Sequence, residues 1–174
     1  ALAHHLATFK RWYSQAGTPR VQARGHYNAD ARTYTLELSQ HGLPSPGQPT
    51  KEPWVIPVAM GLIGPRGEHL PLQLVGENTP VGTERVLVLH EEQQRYEFTG
   101  LDTEPVPSLL RGFSAPVLLE DSLGDADLLH LLAHDADPFN RWEAGQRLAL
   151  NRLLGAIRSG QALHLDTAFI DAMR

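Results

Sequence analysis

Over the first 120 residues apolar and polar positions alternate with a period of two; beyond residue 124 leucines recur at spacings of three and four. The first pattern belongs to half-buried strands and the second to amphipathic helices. RVQARGHYN alternates Val21, Ala23 and Tyr27 with polar neighbours, NADA turns the chain, and RTYTLELSQ repeats the alternation at Tyr34, Leu36 and Leu38, which predicts a β-hairpin. After the Pro/Gly-rich loop LPSPGQPTKEP, the run WVIPVAMGLI is too short for a helix before GPRG, and Pro57 points to an edge strand or a bulge. LPLQL, ERVLVLHEE and QRYEFTG read as further short strands, and SLLRGFSAPVLLE as the last one. Some seven regularly spaced strands predict a mainly β fold, an immunoglobulin-like antiparallel β-sandwich.

Helices flank this region. Leu6, Phe9, Trp12 and Tyr13 form one stripe of a short leading helix that ends at Gly17, with Pro19 beyond. On the far side Asp125 is placed to cap a helix carrying Leu128, Leu129, Leu131 and Leu132. Asp137, with Pro138 at the first helical position, caps a second helix that stacks Trp142, Leu148, Leu150, Leu153 and Leu154 before Gly155. The change of period sets a boundary near Glu120 to Gly124. The expected division is therefore residues 1–17 as a leading helix, 18–120 as the sandwich and 121–174 as the opening helices of a further, truncated helical domain. The chain lacks an initiator Met and closes on a stripe of Phe169, Ile170 and Met173 without a following cap, so it reads as an excised piece.

Composition narrows the partners. The net charge of -5 is spread along the chain, with 10 Lys+Arg against 12 Asp+Glu in residues 1–120 and 5 against 8 in 121–174. No basic face results, so neither nucleic acid nor an anionic membrane is an expected partner. The absence of cysteine removes disulfides and thiolate metal sites and suits a cytoplasmic location. The longest apolar runs are about ten residues and contain Pro, too short to span a bilayer, and no signal peptide opens the chain.

Candidate catalytic motifs each lack a required part. His130 and His134 stand four apart on a predicted helix, the spacing of H-E-x-x-H, but Leu131 replaces the Glu that would act as general base and no third ligand is evident. They read as polar-face histidines, and His4 and His5 as solvated. HEEQQ at His90 to Gln94 offers Gln where the second His must stand, and Glu91 and Glu92 are adjacent, which suits a turn rather than an acid/base pair. GFSAP around Ser114 resembles a nucleophile elbow without its last Gly or its helix. Gly61, Gly64 and Gly67 have turn spacing with no helix to present amides to a phosphate. Trp12 and Trp142 lie in apolar stripes and read as core. Asp135 and Asp137 read as loop and cap residues, and Arg141 as a partner in a local ion pair or domain contact. No residue is therefore assigned a catalytic, cofactor-binding or metal-binding role, and the residues themselves support a binding or spacer module.

Three blocks carry a resemblance: FKRWYSQAGTP (Phe9 to Pro19), PVPSLLRGFSAPVLLE (Pro105 to Glu120) and HDADPFNRWEAGQ (His134 to Gln146). In this order and at these separations they resemble the aminopeptidase N family, most closely its bacterial zinc aminopeptidase type. The resemblance implies that residues 1–17 are a helix from the end of a catalytic domain, that the sandwich follows, and that residues 121–174 begin a C-terminal helical domain closing over the active site. It also implies a parent metallopeptidase, a hydrolase whose zinc polarises the scissile carbonyl and which releases N-terminal residues from peptides. The family's G-A-M-E-N segment, its H-E-x-x-H with a distant Glu and its catalytic Tyr have no counterpart here; Gly76, Glu77 and Asn78 spell only GEN, in a predicted turn. The expected role is that of an inactive structural fragment without a cofactor. Its partners would be the remaining domains of the parent, and exposed apolar patches are expected near Trp12, Leu109 and the 125–174 helices. The alternative is a free-standing sandwich that binds peptide or protein through an edge strand.

Overall fold

The computed structural model describes residues 8–160 and 167–173; Leu6, His4 and His5 lie outside them. Helix α1 (Arg11–Ser14) leads into seven strands: β1 (Arg20–Asn28), β2 (Thr33–His41), β3 (Ile56–Ile63), β4 (Arg85–Leu89), β5 (Gln93–Thr99), β6 (Val106–Leu109) and β7 (Leu118–Glu120). Helices α2 (Asp125–His134), α3 (Pro138–Ser159) and α4 (Thr167–Ala172) follow. The strands form a four-stranded sheet in the order β5-β2-β1-β7 and a three-stranded sheet in the order β4-β3-β6.

The hairpin forms as its alternation requires. Val21, Ala23, Tyr34, Leu36 and Leu38 are buried on one face, Asn28 pairs with Thr33, and the Asn28 Oδ1 accepts from Ala31 N at 3.0 Å to hold the turn. Three strand expectations change. β3 lies at the centre of its sheet, not at an edge. It tolerates Pro57 because β6 pairs only with Met60 to Ile63. On that open side the Ser114 hydroxyl accepts from Ala59 N and donates to Pro57 O, both at 3.0 Å, and takes the place of the missing strand.

LPLQL is not a regular strand. It crosses between the sheets through isolated bridges, His69 with Ile63 and Leu74 with Phe98, and Pro71, its second residue, has no N–H for a continuous ladder. SLLRGFSAPVLLE is two strands: β6 pairs with β3 in one sheet, a 3-10 turn (Arg111–Phe113) reverses the path, and β7 joins the other sheet parallel to β1. The turn draws Leu110, Gly112 and Phe113 into left-handed conformations, φ 59, 60 and 53. The sandwich is thus mixed, with one parallel pair among antiparallel ones.

The sandwich core joins both sheets around Leu36, Leu38, Ile56, Met60, Leu89 and Phe98, all at 0% exposure. Trp54 is held at its margin by Gln40, whose amide donates to Trp54 O and accepts from Trp54 N at 2.9 and 2.8 Å. Trp12 packs against this core and donates to Val55 O at 2.9 Å. A second core lies under the helices, where Ile63 of β3 meets Leu128, Leu131 and Leu132 of α2, Ala144 and Leu148 of α3, and Phe169 of α4.

The helix ends also depart from expectation. The N-cap of α2 is Gly124, and Asp127 reaches back to accept from its N–H at 2.9 Å, so Asp125 is the first helical residue rather than the cap. Asp137 caps α3 as expected, accepting from Asn140 N at 2.9 Å with Pro138 in the first turn. α3 runs through Gly155 and stops at Gly160, which takes φ 67.

Candidate functional site: a buried polar junction

The densest group of buried polar side chains joins the sandwich to the helices. Arg111, on the turn after β6, is 5% exposed, and Asp135, in the loop between α2 and α3, is 3% exposed. Arg111 Nη2 donates to Asp135 Oδ1 at 2.8 Å, and the other carboxylate oxygen accepts from Ser108 Oγ at 2.5 Å. Asp135 also accepts from Asp137 N at 2.9 Å. Asn140 donates to Ser108 Oγ at 2.7 Å and to Leu109 O at 2.9 Å. Asp137 completes the ring: while one oxygen caps α3, the other accepts from Gly112 N at 2.9 Å.

Local sequence explains the fit. Gly61 in β3 leaves room for the guanidinium, since a Cβ there would stand 2.7 Å from Arg111 Nη1; this glycine lies within a strand, not in a turn. Ion pairs withdrawn from water hold best when their hydrogen bonds are met; here each Asp135 oxygen has a donor, Arg111 Nη1 also lies 3.7 Å from Glu84 Oε2, and Arg111 Nε is buried without a partner among the described residues. The arrangement fixes register between two layers. It offers no reaction, because the Ser108 hydroxyl is consumed between Asp135 and Asn140.

The histidine pair serves the same junction. His130 Nε2 donates to Gly64 O at 2.8 Å, and the two imidazoles lie 4.7 Å apart. His134 covers Gly67, where a Cβ would meet the ring at 2.5 Å. Both therefore pack α2 onto the turn after β3. Among the described residues no group of three or more His, Cys, Asp or Glu is arranged to hold a metal ion.

The other candidates are structural. In HEEQQ, Gln94 Oε1 accepts from His90 N at 2.5 Å and Glu91 N at 3.1 Å, closing the β4–β5 turn, and Glu91 and Glu92 are exposed. In GEN, Glu77 accepts from both Arg85 terminal nitrogens at 2.8 and 2.6 Å and from Leu74 N at 2.9 Å. The Arg85 hydrogen bonds, followed by the Leu74 amide, hold its carboxyl down at about 2. Trp142 is 57% exposed rather than core, and Leu109 is buried rather than part of a surface patch. Among the described residues Arg141 forms no ion pair; its Nε donates to Leu132 O at 3.1 Å and closes the end of α2. Sequence reading missed Arg111, Ser108 and Asn140. The usable signal was DADPFN beside RGF, two acids and an Asn around a helix-starting Pro, which needs a donor from another element to be complete.

Over residues 17–122 the sequence matches a family described as a domain of unknown function (DUF3458) with an Ig-like fold. The chain belongs to that family. Its Ig-like domain is followed by a match over residues 125–174 to the companion family DUF3458_C, described as ARM repeats. The chain is 38% identical over 172 residues to aminopeptidase N of Escherichia coli strain K12, covering 97% of this chain and 19% of that protein. It is 42% identical over 154 residues to aminopeptidase N of Caulobacter vibrioides, covering 88% and 17%. A crystal structure of Legionella pneumophila aminopeptidase A in complex with aspartic acid superposes with a TM-score of 0.74 at 27% identity, over 96% of this chain and 17% of that one. The chain thus spans about a fifth of the length of the curated relatives it matches. The resemblance read from the three sequence blocks holds: this Ig-like domain is one found in bacterial aminopeptidase N.

Proposed function

We propose that the chain is a non-catalytic structural segment of a cytoplasmic zinc aminopeptidase, whose whole removes N-terminal residues from peptides. Residues 18–120 are the spacer between a catalytic domain, to which 1–17 belong, and a helical cap that begins at 121–174. Zinc, peptide substrate and the remaining domains are partners of the whole. The observation that carries this reading is the Arg111–Asp135 junction, a buried ion pair tied to both layers by hydrogen bonds. It suits a part whose work is to hold a helical domain at one angle to a sandwich. The colinear match to aminopeptidase N along nearly the entire chain supports it. No described helix is long and apolar enough to cross a membrane.

The test is turnover of an N-terminal alanyl chromogenic substrate together with zinc analysis, for this chain beside a full-length aminopeptidase N. Activity and stoichiometric zinc are expected only in the longer protein; both in this chain would overturn the reading. One feature favours the sandwich as a strand-capturing module instead: edge strand β4 exposes Val86 and Val88, at 55% and 42%. Specific capture of an extended peptide by β4, seen as new amide protection along it, would replace the spacer role.

A further inference from the structure

Where the two sheets part, they leave a cleft of about 580 Å3 roofed by the first turn of α2. Its floor is the inner face of β1 and β2 together with the Pro105 to Pro107 approach to β6, where Ala23, Leu36 and Val106 supply apolar surface beside the polar rim. Its rim carries three carboxylates, Glu104, Asp121 and Asp127. Two of these are committed in part: Asp121 takes Arg147 in a two-pronged pair at 2.8 and 2.5 Å, and one oxygen of Asp127 accepts from Gly124 N. Glu104 is exposed and has no hydrogen-bond partner among the described residues.

At the bottom stands Tyr34, 3% exposed. Its ring crosses Gly25, where a Cβ would fall 1.9 Å from the phenolic oxygen. That oxygen lines the cleft with no hydrogen-bond partner among the described residues. The side chain is almost wholly buried while its hydroxyl opens into the cleft without a protein partner among the described residues, so water or a ligand group has to satisfy it there, which marks a place for a ligand group. Burial, then the charges of Glu104, Asp127 and Asp121, push its pKa up, which keeps it protonated.

We propose that this cleft binds a cation carried on an apolar stem, of the lysine or arginine side-chain type. The stem lies on the apolar floor, and the donor-rich head reaches Glu104, the free oxygen of Asp127 and the Tyr34 hydroxyl. A divalent metal ion is a poorer match, since these acids do not converge on a point. The site is independent of the aminopeptidase reading, because it uses only groups within this chain.

The test is an amide-resolved NMR titration of the 174-residue chain with N-acetyl-arginine amide, with a heptapeptide carrying one central Arg, and with N-acetyl-norleucine amide. The cationic probes are expected to shift Gly25 and Ala126, with an affinity that falls as salt rises. E104Q should weaken them roughly two- to fivefold and Y34F by about two- to tenfold. Binding of the single residue points to a free ligand, and binding of the heptapeptide alone to a docked segment. Absence of binding by both cationic probes, equal binding of norleucine, or an E104Q chain that binds as before would overturn the proposal. E104Q alters an exposed side chain and keeps that arm valid if Y34F folds poorly.

Discussion

The two apolar cores are closed to different degrees. In the sandwich each sheet covers the other, and the large residues between them are withdrawn from water. Under the helices one face of α2 and the first half of α3 are covered, while Leu150, Leu153 and Ile157 of α3 are 54%, 45% and 75% exposed. Trp142, Ile170 and Met173 are exposed as well, at 57%, 40% and 58%. The sandwich buries its largest apolar residues between the sheets, leaving apolar side chains such as Val86 and Val88 exposed at its edge. The helices rely on a smaller shared core and on the polar ring at their base. Specific hydrogen bonding thus does for the helical layer what area burial does for the sheets.

The sharpest way to break this contrast is to remove Asp135. D135A leaves the buried Arg111 guanidinium with only the more distant, exposed Glu84 carboxylate at 3.7 Å, and truncating one member of a buried pair costs up to about 3–5 kcal/mol. The whole loss should appear in the helical layer: in a W142F background, where the remaining tryptophans Trp12 and Trp54 both pack on the sandwich, helical circular dichroism should melt early while fluorescence reports an intact sandwich. A change below about 1 kcal/mol in denaturant titration would show that the ring is incidental. A matched pair of core truncations sharpens the same point. L36A and L148A each remove a leucine at 0% exposure and should each cost about 2–5 kcal/mol. L36A should lower both signals together, whereas L148A should release the helices first. Coincident transitions in L148A would make the molecule one cooperative unit.

A smaller effect is expected at Ser114. S114A deletes the hydroxyl that stands in for a strand beside Pro57 and exposes Ala59 N and Pro57 O to whatever water can reach them. The cost should be about 1–2 kcal/mol, confined to the sandwich signal and to faster amide exchange at Ala59. Protection unchanged at Ala59 would show that another group satisfies the strand.

The regions also differ in how far they could be read from sequence. The hairpin was legible because its two faces differ in polarity and a turn separates two alternating runs. Pro57 misled because proline reports a missing donor on one side of a strand, and only the fold says that a serine from over fifty residues away fills that side. SLLRGFSAPVLLE read as one strand because its apolar content is continuous, and the three left-handed residues that bend it include only one glycine. In the helices, periodicity located the segments but not which leucines are covered: Leu148 and Leu150 look alike in sequence and are 0% and 54% exposed. The polar ring was least legible. Its members are ordinary loop and cap residues one by one, and only their meeting across the junction makes them a unit.

The mildest prediction concerns acid. Glu77 holds Arg85 across the sandwich margin, and the two side chains are 29% and 20% exposed. Its carboxyl lies at about 2 against an ordinary 4.5, so between these values the unfolded chain binds the proton that the folded one refuses. Its contribution is therefore complete above about pH 4.5 and is lost as pH falls toward 2. Glu68 and Glu120 are lowered in the same direction, by the Glu68 backbone amide and by Arg20 respectively. E77Q should consequently flatten, without abolishing, the fall of sandwich stability with acid across this window, and added salt should flatten it further. The measurement is the urea midpoint of tryptophan fluorescence as a function of pH in a W142F background, with and without E77Q. Parallel curves would mean that the Arg85 pair adds nothing specific. A change confined to the helical signal would instead tie this turn to the junction and undo the separation of the two cores.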